Sequence, residues 1–261
     1  MSFIDELVPL LKKLRLSGVL QSLELRVRQA VDEQLSYEEF VVRLLSDEVE
    51  RRDAKHLDQR IRRAGFESHK TLEDFDFHFN PEVPKSKVID LATCAFVERK
   101  QSVLIVGRTG TGKSHIAQAL GHRACRAGYS VLFVTANDLF KQLRAGRADG
   151  SHDRRLARFA SVDVLLVDDL GLRALSPDEA NDLYEVIRLR YQHAPLVITS
   201  NRDVDEWGAL FGDPLLASAA MDRVLHDAHV LVFDGDSFRN PPQRRNKPAD
   251  VKNNHHKETN P

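Results

Sequence analysis

The sequence predicts an α/β protein, a five-stranded parallel sheet built around a phosphate-binding loop and preceded by a small all-helical unit. Three observations predict it. Five short segments that are apolar throughout alternate with helical stretches. A glycine-rich loop joins the first of these segments to a helix. The residues before Gly65 show helical spacing and contain only one glycine, Gly18.

In chain order, Leu7, Leu10, Leu11 and Leu14, then Leu20, Leu23, Leu25, Val27 and Val31, give two helical pieces separated by "SGV", a short helical hairpin. Ser36 with Glu39 forms a capping box and starts a third helix, through Phe40, Val41, Leu44, Leu45 and Val49 toward Leu57 and Ile61. The later half of that helix, "EVERRDAKHLDQRIRRAG", is mostly charged, as expected of a solvated rod or a contact surface. Near residue 70 the texture changes to "TLEDFDFHFNPEVP", with clustered aromatics and prolines. The organisation expected is therefore a helical unit over 1–68, a sheet domain over 69–240 and a disordered, basic and polar tail over 241–261. Strands are expected at "SVLIV", "SVLFV", "DVLLV", "APLVITS" and "HVLVF". Continuous apolarity of this kind belongs to parallel strands covered on both faces.

The loop reads Gly107, Arg108, Thr109, Gly110, Thr111, Gly112, Lys113, Ser114, the pattern G-x-x-x-x-G-K-[ST] between a strand and a helix. Glycines let the backbone amides converge on phosphate oxygens, Lys113 adds a mobile charge, and Ser114 offers a hydroxyl to magnesium. The helix "SHIAQALGHRACRA" points its positive end at the same place and stops at Gly128. A nucleoside triphosphate is the expected ligand. The strand Val164–Val167 then delivers Asp168 and Asp169 at the sheet edge where open α/β folds bind ligands. Asp168 is assigned to the magnesium shell and Asp169 to orienting or deprotonating the attacking water, a turn or helix cap being the alternative for such a pair. Asn201, at the end of "VITSN", can reach between the terminal phosphate and that water. Arg223, in "ASAAMDRVLHDAH", suits an arginine lent to a neighbouring subunit's site; an exposed helix arginine is the alternative.

Composition sets the outer limits. No apolar run is long enough to cross a bilayer and the start, "MSFIDELVP", carries acids where a secretory signal needs positive charge, so no membrane partner and a cytoplasmic protein are expected. Cys94 and Cys125 show no metal or disulfide spacing. The net charge of -1 leaves any nucleic-acid affinity to local asymmetry. Between residues 141 and 158, Lys141, Arg144, Arg147, Arg154, Arg155 and Arg158 meet only Asp149 and Asp153, and Arg239, Arg244, Arg245 and Lys247 follow near the end. Such a segment suits a phosphodiester backbone held without base reading, or a solvated face.

Taken together, the chain resembles the IstB family of transposition helper ATPases, relatives of the helicase loader DnaC and the initiator DnaA. The resemblance runs over residues 7–240 and rests on "LKKLRLSGVLQSLE", "LSYEEFVVRLL", "TLEDFDFHFNP", "GRTGTGKSH", "DVLLVDDLG", "VITSN" and "FGDPLLASAAMDR". It implies an AAA+ ATPase, using ATP and Mg2+, that forms homo-oligomers on double-stranded DNA without sequence specificity and presents that DNA to a cognate transposase. It also implies that the N-terminal helices dock subunits or the partner, that Arg223 is the arginine finger, that Asn201 is a first sensor and that Arg239 is a second. Two departures stand out: Arg108 takes a place often held by proline, and Asp169 replaces a glutamate, which implies slower hydrolysis. A helicase loader is the alternative within this resemblance, and a metabolic phosphotransferase the alternative outside it.

Overall fold

The computed structural model describes residues 3–239, so the expected disordered tail over 241–261 lies outside the described residues. The chain opens with three helices, α1 (Phe3–Lys13), α2 (Ser17–Asp32) and α3 (Tyr37–Ala64). The break between the first two falls at Leu14–Leu16, with Arg15 at φ 57°, and not at "SGV" as the spacing suggests. Gly18 stays helical because another helix supplies what α2 lacks at its start. The Glu48 carboxylate accepts from the amides of Gly18 (2.5 Å) and Val19 (3.3 Å), two donors that a helix cannot satisfy internally. A side chain at residue 18 would stand 2.7 Å from Glu48 Cα, so the glycine serves close helix packing rather than a turn. A small core of Leu11, Val19 and Leu23, with Leu7, Leu16, Leu20 and Leu44 against it, closes the unit.

The capping box forms as expected: Ser36 Oγ accepts from Glu39 N at 3.2 Å and Glu39 Oε2 accepts from Ser36 N at 2.9 Å. Both readings of α3's charged half hold in part: residues 49–56 are largely exposed, and the last two turns form a contact surface. Ala64 is buried in the core under the sheet, Leu57 and Ile61 pack on that core, and Arg60 Nε donates to the Cys125 carbonyl at 3.0 Å. One helix thus belongs to both the helical unit and the sheet domain.

Two short helices not marked in the sequence reading, α4 (Lys85–Leu91) and α5 (Ala95–Glu98), precede the sheet. There follow β1 (Val103–Gly107), α6 (Lys113–Arg126), β2 (Val131–Thr135), α7 (Ala136–Asp149), α8 (His152–Ser161) and β3 (Val164–Leu170). The remainder is α9 (Pro177–Arg190), β4 (Leu196–Ser200), α10 (Trp207–Phe211), α11 (Pro214–Leu225) and β5 (His229–Phe233). The strands form one parallel sheet in the order β2-β3-β4-β1-β5. Successive residues feed opposite faces. Leu104, Leu165 and Val167 pack toward the core that holds α7, α9 and α11, while Ile105, Val164 and Leu166 pack toward the one that holds α6 and the end of α3. The β3–β4 ladder shifts register between Val167 and Leu170, where the two acids sit. That irregularity, with Asp169 at φ 57°, releases both carboxylates from the strict alternation of the strand. Among the described residues no helix is long and apolar enough to cross a membrane.

Candidate nucleotide site

β1 runs into the loop at Gly107, and the chain then turns through Gly110 and Gly112 at φ 86° and 99° before α6 begins at Lys113. Such backbone is costly for any residue with a Cβ. At Gly112 the need is doubled, since a Cβ there would come within 2.5 Å of the Phe75 ring. Thr111 Oγ1 donates to the Arg108 carbonyl at 2.8 Å and stiffens the turn. Lys113 is buried, and its Nζ donates to the Arg108 carbonyl at 2.8 Å and to Asn201 Oδ1 at 2.7 Å, so the predicted lysine and the predicted asparagine meet directly. Burial pushes the Lys113 pKa down, against the pull of Asp169 and then Asp168.

The acids are tied together by a residue the sequence reading passed over. Thr199, fully buried on β4, donates its hydroxyl to Asp168 Oδ1 and accepts from the Asp169 amide at 2.9 Å. Asp168 is itself buried, whereas Asp169 lines the cavity; burial, with the neighbouring Asp168 charge added, raises the Asp169 pKa, while Lys113 and Arg239 oppose the rise.

Thr109 to His115, Asp169, Asn201, Phe238 and Arg239 line a cavity of about 330 Å3. Its remaining wall comes from the segment between α3 and the first strand, including Lys70, Asp74, Phe75, Asp76, Phe79 and Asn80. Phe75 meets the His115 ring edge-on at 5.2 Å, Phe79 meets Phe238 edge-on at 4.9 Å, and the Phe238 amide donates to the Gly110 carbonyl at 2.9 Å. Sequence reasoning recorded the aromatic density of "TLEDFDFHFN" as a change of texture and did not connect it with the loop; that density was the available signal. The composite pocket combines what a triphosphate joined to a planar base would need: loop amides, a lysine and an acid, with aromatic rings adjoining the loop. Ser114 and Asp168 offer oxygen donors of the kind magnesium takes. No group of three or more His, Cys, Asp or Glu side chains gathers among the described residues, so any magnesium here would be shared with phosphate oxygens, its usual coordination.

Arg223 lies elsewhere. It stands in α11 over Tyr184 (5.4 Å) and Tyr191 (6.0 Å), donates to the Ala219 carbonyl at 2.7 Å, and lines a separate cavity of about 210 Å3 with Ser102, Arg190 and Leu196. Ser102 immediately precedes β1 and Leu196 starts β4, so this cavity opens at the sheet edge opposite the loop.

The basic segment divides in two. Arg147 grips the buried Asp182 of α9 through both terminal nitrogens at 2.8 and 2.5 Å, with His152 Nε2 3.0 Å from the same carboxylate, and Arg155 pairs with Asp149 at 2.8 Å. Lys141, Arg144, Arg154 and Arg158 are exposed, with no ion-pair partner among the described residues.

Residues 9–246 match the family described as IstB-like ATP binding protein. The chain belongs to that family. A protein of insertion sequence IS5376 from Geobacillus stearothermophilus is 38% identical over 205 residues, which is 78% of this chain and 82% of that one. A protein of insertion sequence IS21 from Pseudomonas aeruginosa is 35% identical over 242 residues, 93% of this chain and 91% of its own. The names of both relatives assign them ATP binding. Among solved structures, DnaI aligns at TM-score 0.55 and 22% identity over 64% of this chain and 92% of its own. AMPPCP-bound DnaA from Aquifex aeolicus aligns at 0.55 and 21% over 67% and 53%. At such identities the likeness concerns the fold alone. This IstB-like chain has the AAA+ P-loop NTPase sheet, with an all-helical unit ahead of it.

Proposed function

We propose that this IstB-like protein is an ATP-dependent DNA-binding helper of transposition, which assembles on duplex DNA, recruits a transposase and uses ATP hydrolysis to come apart. The observation that carries the reading is the convergence of Lys113, Asn201 and Asp169 on one cavity with the loop amides, in a chain matched to its family from residue 9 onward through the N-terminal helices.

In this reading the loop amides of 109–114 and Lys113 bind the triphosphate. Lys113 exchanges the Arg108 carbonyl and Asn201 for phosphate oxygens, which frees the Asn201 amide to orient water. Ser114 and Asp168 would hold magnesium, which when bound offsets charge on the phosphates. Thr199 holds Asp168 in place from behind. Asp169, with its pKa raised by burial, is the group that takes a proton from water at its carboxylate. Arg223 lines a cavity at the opposite sheet edge and not the nucleotide cavity of its own chain, so it can serve a phosphate only on another subunit; a head-to-tail arrangement, which joins opposite sheet edges, supplies that geometry. Lys141, Arg144, Arg154 and Arg158 are the cations free to take DNA phosphates. Residues 1–68 present the docking unit and 69–240 the ATPase domain.

The test mixes the protein with duplex DNA, magnesium and a non-hydrolysed ATP analogue. A complex that needs the nucleotide and weakens steeply with salt is expected; its absence would overturn the reading, and capture of a replicative helicase in place of a transposase would move the function to helicase loading.

A further inference from the structure

We infer that Asn80 reads the base of the bound nucleotide and selects adenine over guanine. The inference rests on the nucleotide reading of the main cavity and deepens it.

Asn80 lines that cavity, is 3% exposed, and its Nδ2 has no hydrogen-bond partner among the described residues. Its backbone is fixed, the Asn80 carbonyl accepting from Val83 N at 3.2 Å. On one side the carboxamide abuts Gly235, where an added Cβ would stand 2.3 Å from Oδ1. The adjoining Phe79 ring packs edge-on against Phe238, and both rings line the same cavity. A buried amide donor without a partner is unusual, because leaving one unmade costs free energy that a ligand atom can recover. Because Nδ2 is itself buried, reading a base requires rotation about the broad terminal torsion of asparagine, which brings the amide edge toward a base lying on these rings.

A carboxamide shows one donor beside one acceptor. The N6/N7 edge of adenine shows the complement, an amino donor beside an acceptor, whereas the same edge of guanine shows two acceptors. Oδ1 therefore accepts from the 6-amino group and Nδ2 donates to N7. Lys113 and the loop amides grip the phosphates without regard to the base, which leaves discrimination to Asn80.

The experiment is equilibrium binding of ATP, GTP and 7-deaza-ATP to the full chain by calorimetry, repeated with Asn80→Ala. The unsubstituted protein is expected to bind ATP about ten- to a hundredfold more tightly than GTP, the discrimination typical of one bidentate contact, and to lose affinity for 7-deaza-ATP. Asn80→Ala should bring ATP down to the level of GTP with GTP unchanged, a pattern that misfolding would not give. An ATP to GTP ratio that is near one in the unsubstituted protein, or unaltered in the variant, overturns the role of Asn80 and leaves the nucleotide site standing. Full affinity for 7-deaza-ATP overturns the N6/N7 contact. Failure of every triphosphate to bind overturns the nucleotide reading itself, and the role of Asn80 with it.

Discussion

Gly112→Ala probes the contact that joins the aromatic segment to the phosphate-binding loop. Two costs can be separated. Gly112 sits at φ 99°, and left-handed backbone costs an alanine roughly 1–2 kcal/mol. The new methyl would also lie 2.5 Å from Phe75 Cε2 and 2.9 Å from Cζ, where the ring must shift; overpacking of this kind costs about 1–3 kcal/mol. The combined loss of about 2–5 kcal/mol corresponds to a fall in melting temperature of roughly 5–15 °C for a chain of this size. The assay is thermal unfolding of Gly112→Ala, Phe75→Ala and the double variant. Removing the ring relieves the steric part and leaves the backbone part, so the double variant should be more stable than the sum of the singles predicts by about 1–3 kcal/mol. Strict additivity would show that the loop and the ring do not meet, and the composite pocket would lose its evidence.

Four further outcomes follow from the same geometry. Lys113→Ala should abolish triphosphate binding by calorimetry, while Asp169→Asn should keep binding and lose turnover; equal affinity of the lysine variant and its parent refutes the first. Thr199→Val leaves the buried Asp168 carboxylate without its hydroxyl donor and should slow hydrolysis, with a deficit of about 1–3 kcal/mol that Thr199→Ser restores, nucleotide affinity changing little. Arg144→Ala, Arg154→Ala and Arg158→Ala should each reduce the salt slope of DNA binding by about one, whereas Arg147→Ala leaves the buried Asp182 with His152 as its remaining partner and should cost about 1–3 kcal/mol of stability, read by denaturant unfolding. Glu179 beside Arg173, and Asp47 beside Arg26, have pKa values lowered from 4.5 and 3.8 to about 2. A depressed carboxylate stabilises the fold above its unfolded pKa, so urea resistance should decline as pH falls from about 4.5 toward 2, and less so in Glu179→Gln.

The half of the site that was legible in the sequence is the half whose chemistry fixes residue types at fixed spacing. Gly110, Gly112, Lys113 and Ser114 are needed in that order to surround an anion, and Asp168–Asp169 follow an apolar strand because a sheet edge has to present them. The other half is tertiary. Phe75, Phe79 and Asn80 reach Gly110–Gly112 and Gly235–Phe238 only after the whole sheet has formed between them, and no periodicity records that. Local charge counting could not show one pairing for the same reason: Asp182, far along the chain, claims Arg147, whereas the Arg155–Asp149 pair lies within the counted segment. At Gly18 the sequence shows a helix breaker, because the Glu48 carboxylate that completes the helix start is invisible until α2 and α3 are docked.

The path of the chain after α3 bears on how nucleotide and N-terminal helices can influence one another. Past Gly65, Phe66 stacks on His122 of α6 at 4.2 Å and fits closely over Gly121, where a Cβ would come within 2.8 Å of its ring. The next residues become the cavity wall, and His115 Nε2, in the first turn of α6, lies 2.7 Å from the Thr71 carbonyl. One stretch of backbone therefore links α3, the helix that begins at Lys113, and the aromatic wall of the pocket. A ligand can bias the helical unit only by the difference in its contacts to two arrangements of that stretch. Because Phe66 and Thr71 are both held against α6, such a rearrangement must either move α6, which carries Lys113, or break those contacts. If the proposed site binds nucleotide, variants that loosen Phe66 should change nucleotide affinity and the exposure of α3 together, read by calorimetry and hydrogen exchange.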